Sequence, residues 1–178
     1  MKNMKTTDTQ PRIYVGTYEK YNNGSIKGKW LDLHDYSDKE AFLEACKKLH
    51  SDEVDPELMF QDYEGFPECY YSESSVPDEL FDWLDLNTDD RELLAHYREA
   101  TGQDYCEGTI EKALEAFEGK AESEADFAEN HAQMAGMIPE SLPSWIVIDW
   151  EASWKCGLQY DYYTNRAKDG IIWFFHNC

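Results

Sequence analysis

The stretch Ile13-Tyr14-Val15-Gly16-Thr17-Tyr18-Glu19-Lys20-Tyr21-Asn22-Asn23-Gly24-Ser25-Ile26-Lys27-Gly28-Lys29-Trp30-Leu31-Asp32-Leu33 reads as a β-hairpin. Ile13 to Val15 and Ser25 to Leu33 carry β-branched and aromatic residues, and Asn22-Asn23-Gly24 supplies the positive φ angles of a tight turn. Asn23-Gly24-Ser25 also fits a glycosylation acceptor, but the turn is the expected use. Downstream, Ser37 and Glu40 form a capping box for a helix to His50, with Phe42, Ala45 and Leu49 at helical spacing. Met59 to Glu64, ended by Gly65 and Pro67, reads as a third strand or a strand-like turn. Residues 12–66 therefore read as a small N-terminal α+β domain.

Residues 67–108 read as a central helical acidic domain. Pro77 suits a first helical turn, and Leu80, Phe81 and Leu84 form an apolar stripe. Thr88 is the expected N-cap of the next helix and Gly102 its stop, with Leu93, Leu94, Tyr97 and Ala100 facing inward. Residues 109–178 read as a C-terminal α+β domain. It opens with a helix from Thr109 to Gly119 that buries Ile110, Ala113, Leu114 and Phe117, and Ser123 and Asp126 signal another cap. Strand-like runs follow at Trp145 to Ile148, Leu158 to Tyr163 and Ile171 to Phe175, the last entered through an Asp169-Gly170 turn. Trp145 to Trp154 has helical intervals as an alternative. The fold class is α+β, with two αβ lobes joined by a helical one.

Charge is distributed unevenly over this frame. Between Asp32 and Asn165 there are 34 Asp and Glu against 8 Lys and Arg, a net of −26, whereas the segment before carries +4 and the segment after +1. Disorder fits poorly, because 6 Trp, 12 Tyr and 8 Phe interleave with the carboxylates and supply a core. Mere solubility fits poorly too: a total of −21 exceeds the roughly 2 to 8 charges that keep a small domain soluble, and the excess opposes compaction. The expected partner is basic. The first residues lack a signal peptide, no apolar run of transmembrane length occurs, and Cys46, Cys69, Cys106, Cys156 and Cys178 make no Cys-x-x-Cys pair, so reduced thiols in the cytoplasm and no membrane contact are expected.

Catalytic patterns are weak. A carboxylate-dependent hydrolase needs one carboxyl of raised pKa in an apolar cleft, which mere abundance of Asp and Glu does not supply. His34, His50, His96, His131 and His176 have no metal-ligand spacing. Asp85-x-Asn87-x-Asp89 resembles a calcium loop, but Asp90 stands where the turn needs Gly and His96 where Glu should close the shell. No phosphate-binding glycine loop or nucleophile elbow is present, and Cys106 or Cys156 as nucleophile has only generic support. No catalytic residue, metal ligand or cofactor is assigned, and the chain is not expected to be an enzyme. Direct nucleic-acid binding is unexpected, since phosphates need a basic face; Lys20, Lys27 and Lys29 read as solvated side chains.

An acidic helical surface can instead imitate nucleic acid. B-DNA carries one charge per roughly 1.7 Å of axis, and helical carboxylates three or four residues apart fall about 5–6 Å apart along one face. Such groups act as acceptors for partner Arg and Lys without perturbed pKa values. The candidate phosphate-mimic surface comprises Asp62, Glu64, Glu73, Asp78, Glu79, Asp82, Asp85, Asp89, Asp90, Glu92, Glu111, Glu115, Glu118, Glu122, Glu124, Asp126 and Glu129. Glu111, Glu115, Glu118 and Glu122 are expected to form one helical stripe, whose like charges cost roughly 0.2–0.5 kcal/mol per pair.

Several segments together resemble the ArdA antirestriction family: Arg12-Ile13-Tyr14-Val15 with Tyr21-Asn22-Asn23-Gly24 and Gly28-Lys29-Trp30-Leu31-Asp32; Asp62-Tyr63-Glu64-Gly65-Phe66-Pro67; Ala116-Phe117-Glu118-Gly119 with Ser123-Glu124-Ala125-Asp126-Phe127-Ala128; Ile138-Pro139; and Gly170-Ile171-Ile172-Trp173-Phe174-Phe175-His176-Asn177. The resemblance runs from Arg12 to Asn177. It implies a noncatalytic cytoplasmic inhibitor, carried on mobile genetic elements, that mimics DNA in the channel of the methyltransferase and specificity subunits of type I restriction-modification enzymes. It further implies an elongated chain of three small domains and a homodimer formed through the C-terminal domain, for which Trp145, Ile148, Tyr160, Tyr162 and Trp173 are the interface candidates. An acidic mimic or chaperone of another DNA-binding protein is the alternative, with a hydrolase the more distant one.

Overall fold

A computed structural model describes residues 9–103, 108–139 and 141–177. Cys106 and Cys178 lie outside the described residues. The chain divides into two compact units, the first ending at Leu86 and the second starting at Asn87, within the stretch read as a helical middle.

In the first unit, β1 (Arg12–Thr17) leads into a short helix α1 (Tyr18–Asn22) and β2 (Lys29–Asp32). Helix α2 (Lys39–Leu49), β3 (Leu58–Glu64) and α3 (Glu79–Asp85) follow. The sheet is antiparallel in the order β2-β1-β3, with Ile13 paired to both Leu31 and Tyr63. The expected pairing of the first two strands is present, but the connection is not a tight Asn-Gly turn. Asn23 keeps a negative φ of −86° and only Gly24 is left-handed, at 76°. Ser25 N donates to Lys20 O and Gly24 N to Tyr21 O, the paired bonds that close a helix C-terminus on a glycine.

Ile13, Val15, Leu33, Phe42, Phe60 and Leu80 are fully buried. Phe42 joins three elements, with ring centroids 5.8 Å from Phe60 of β3 and 6.2 Å from Phe81 of α3. Burial of each such side chain contributes about 1.5–3 kcal/mol. Helix α2 is capped by Asp38 rather than Ser37: Asp38 Oδ1 accepts from Ala41 N at 2.8 Å, while the Ser37 hydroxyl donates to Asp38 Oδ2. A carboxylate satisfies an amide and faces the positive end of the helix dipole, so it outcompetes the hydroxyl.

The second unit contains α4 (Thr88–Thr101), α5 (Thr109–Ala116), β4 (Phe117–Ala121), α6 (Glu124–Met134), α7 (Trp150–Cys156), β5 (Tyr162–Arg166) and β6 (Ile172–His176). Its sheet is antiparallel in the order β4-β6-β5. Central strand β6 is covered on both faces, which is why Ile172 to Phe175 forms an unbroken apolar run. Ile172 and Phe174 join Phe127, Ala128, Trp154 and Tyr162 beneath α6 and α7, and the Phe127 and Phe174 rings stack at 3.9 Å. On the other face, Phe175 meets Tyr97 edge-on at 5.3 Å and Trp173 stacks on His96 at 4.4 Å.

Several local expectations are corrected here. Asn87, not Thr88, caps α4 through its side-chain oxygen and the Asp90 amide at 2.9 Å, although Gly102 does end the helix with φ 67°. Helix α5 stops at Ala116 because Phe117 to Ala121 pairs with β6. Leu114 is consequently 44% exposed rather than buried. Trp145 to Ile148 lies in no strand or helix, and Leu158–Tyr160 is a single 3₁₀ turn before β5. Among the described residues no helix is long and apolar enough to cross a membrane.

Candidate partner-binding surface

Many of the acidic side chains sit where helix starts hold them. Glu79 and Asp82 occupy the first turn of α3, Asp89 and Asp90 that of α4, Glu111 that of α5, and Glu124 and Asp126 that of α6. Unfilled amides and the helix dipole there favour negative charge by about 0.3–1 kcal/mol per group at low ionic strength. The fold thereby offsets part of the self-repulsion that the sequence imposes.

Exposure separates the candidates. Asp62, Glu73, Asp78, Asp82, Asp85, Asp89, Glu92, Glu111, Glu115, Glu118, Glu122 and Asp126 are exposed, while Glu64, Glu79, Asp90, Glu124 and Glu129 are half-buried. Some are already engaged within the chain. Glu64 pairs with Arg12 at 2.6 Å, Asp78 with Lys39 at 3.1 Å and Glu124 with Arg166 at 3.4 Å. Asp90 accepts from the Asn87 side-chain amide at 2.7 Å, and Asp126 from the Ser123 hydroxyl at 2.6 Å.

The expected four-carboxylate stripe is broken. Glu111 and Glu115 share α5, but Glu118 lies on β4 and Glu122 follows that strand. The chain changes from helical to extended geometry at Phe117, so the spacing rule that linked the four no longer applies beyond Glu115. What the turn into α6 builds instead is an open groove of about 380 Å³ lined by Ala121, Glu122, Asp126, Glu129 and Asn130. Its three carboxylates and one amide offer acceptors to a cationic side chain.

One acidic cluster outside the candidate set is tied to a lysine of the same chain. Lys20 Nζ donates to Asp52 Oδ1 at 2.8 Å and pairs with Glu53 Oε1 at 3.1 Å, and it also contacts His50 Nδ1 at 2.9 Å. The Thr17 hydroxyl donates to Glu53 at 2.7 Å. His50, Asp52 and Glu53 bring ligand atoms within 4.8 Å of one another, a spacing that suits a metal ion, but the Lys20 ammonium sits among them. Lys20 is thus an internal tie rather than the solvated side chain expected; Lys27 and Lys29 are exposed. Nothing local marked Lys20, because its partners lie about thirty residues downstream.

Among the apolar candidates, Trp145 is 80% and Tyr160 72% exposed, and Ile148 is half-buried. Tyr162 and Trp173 are core residues, 9% and 3% exposed. Ile146 and Val147, beside Trp145, are exposed as well.

No curated protein matches the chain significantly. The model of a family described as Antirestriction protein (ArdA) matches residues 13–172.

Proposed function

Because the chain belongs to the ArdA antirestriction protein family, we propose that it acts as a DNA mimic whose acidic surface occupies the DNA-binding channel of type I restriction-modification enzymes and blocks both restriction and modification. The observation that carries this reading is the net −26 between Asp32 and Asn165, borne by a folded, aromatic-rich chain rather than a disordered tail.

The inhibition makes and breaks no bond. Arg and Lys side chains that line the channel of the methyltransferase and specificity subunits pair with carboxylates in place of phosphates. Binding then gains from release of the counterions that each surface holds, as it does for DNA itself. The inhibitor works in the cytoplasm, on behalf of the mobile element that carries it. In this reading the C-terminal part of the chain forms the homodimer through the exposed Trp145 and Tyr160 with Ile148.

Distributed charge distinguishes this mechanism from catalysis. Replacing Glu111, Glu115 and Glu118 by Gln, singly and then together, tests the proposal in a restriction assay with a type I enzyme. Graded loss of inhibition is expected; abolition by one substitution in a folded variant would contradict distributed mimicry.

A further inference from the structure

Glu99 is an exposed carboxylate of α4 outside the candidate set, and it is held from another element of the second unit. The Asn165 side-chain amide on β5 donates to Glu99 Oε2 at 3.1 Å, and Asn165 Oδ1 lies 2.6 Å from His96 Nδ1. A carboxylate only accepts, so the amide nitrogen must face Glu99 and the amide oxygen must face the imidazole. Nδ1 therefore carries a hydrogen and donates it to Asn165. His96 in turn stacks on Trp173 of β6 at 4.4 Å, and Trp173 is a core residue. A chain of directed contacts thus runs from the buried sheet to one carboxylate at the surface.

Glu99 is held differently from the other engaged carboxylates. Arg12, Lys39 and Arg166 hold Glu64, Asp78 and Glu124 and cancel their charge, while Asn87 and Ser123 hold Asp90 and Asp126 within the starts of their own helices. Asn165 is neutral and lies 66 positions along the chain, so Glu99 is fixed in place with its charge intact. Its position is also electrostatically unusual. Helix α4 ends at Thr101, which puts Glu99 in the last turn, where the negative end of the helix dipole favours a cation over a carboxylate. Helix stability alone gives no reason for an acid there, whereas an approaching cation would meet both the carboxylate and the dipole.

We propose that Asn165, itself oriented by His96, is a positioning residue for partner recognition, which presents Glu99 as a pre-arranged contact for a cationic side chain of the DNA-binding partner. The inference rests on the DNA-mimic reading and adds to it one carboxylate and the two groups that aim it. Ordering one long side chain at an interface lowers affinity by roughly 2- to 10-fold, and here that ordering precedes binding.

The test is a double-mutant cycle on the full chain, read as competition with a labelled duplex for a purified type I methyltransferase at about 0.1 M salt. Asn165→Ala leaves every carboxylate in place, yet should weaken binding by about 2- to 10-fold. Glu99→Gln should weaken it at least as much, and in that background Asn165→Ala should change nothing further. Equal losses from Asn165→Ala with Glu99 present and absent, in variants with intact unfolding transitions, would make Asn165 merely structural and overturn the proposal. Asn165→Asp keeps the shape of the side chain and turns its donor into an acceptor, so it serves if the alanine variant does not fold. It should also weaken binding although it adds a negative charge; unchanged or tighter binding would overturn the proposal. A wild type that fails to displace the duplex removes the mimic reading together with this inference, and displacement without coupling between Glu99 and Asn165 removes this inference alone.

Discussion

Lys20 Nζ lies 2.9 Å from His50 Nδ1, and this contact orients a buried imidazole. An ammonium only donates, so Nδ1 must accept; the other nitrogen, 3.2 Å from Val15 O, must then carry the proton and donate to that carbonyl. With Asp52 and Glu53 taking further ammonium protons, one lysine ties the helical connection after β1 to the end of α2.

Replacing Lys20 by Met should lower the unfolding midpoint of the first unit, because Glu53, whose side chain is 9% exposed, loses its cation. The drop should exceed that of Lys27→Met, whose side chain is exposed. Equal midpoints in thermal denaturation would contradict the tie.

The same tie sets a pH window. The hydrogen bond to Asp52 raises the Lys20 pKa, and the Lys20 hydrogen bond lowers that of Asp52. Burial pushes Glu53 upward, but the Thr17 hydroxyl and Lys20 outweigh it and leave Glu53 low. Stability from the carboxylates is full above their unfolded values of about 4 and falls as pH drops through the lower folded values; that from Lys20 is full below about 10.4 and falls as pH rises through the higher folded value. Denaturation across pH should show both losses in the wild type and a reduced share of each in Lys20→Met.

Burial pushes the Cys46 thiol up to about 12, so almost none of it is thiolate near neutrality. Alkylation at pH 8 followed by peptide mapping should label the exposed Cys69 and Cys156 promptly and Cys46 only after denaturation. Rapid labelling of Cys46 in the folded chain would contradict its burial on the inner face of α2.

Phe174→Ala should destabilise the second unit by about 3–5 kcal/mol, since it removes a fully buried ring stacked at 3.9 Å on Phe127 and leaves a cavity between β6 and α6. Denaturant unfolding measures this directly. Leu114→Ala, on the exposed side of α5, should cost much less than a core leucine.

Gly65→Ala should also destabilise, by about 1–2 kcal/mol or more. Its φ of 81° disfavours a side chain, and a Cβ there would lie 2.4 Å from Thr9 O. Gly102→Ala meets the φ penalty but finds open space, so its effect in the same assay should be smaller.

What could be read from sequence was what neighbouring residues decide. The Ile172 to Phe175 run, the inward Leu93, Leu94 and Tyr97 of α4, and Ser123 as the cap of α6 all follow from local pattern and are present. Phe117 to Gly119 extend the apolar pattern of the preceding helix, and only pairing with β6, some fifty residues later, makes them part of a strand. At the surface, residue type was enough to expect most exposed carboxylates. It did not reveal which ones Arg12, Lys39 and Arg166 neutralise, because those partners are brought in from elsewhere in the chain. The engaged groups are accordingly poorer phosphate substitutes than Asp85, Glu111 or Glu115.

The most direct measurement of the mimic account is equilibrium competition between the chain and a labelled DNA duplex for a purified type I methyltransferase, followed by fluorescence anisotropy at about 50 and 200 mM salt. The account predicts displacement of the duplex at low salt and an affinity for the enzyme that falls steeply as salt rises. A duplex that stays bound at low salt, with the chain in large excess, would contradict it.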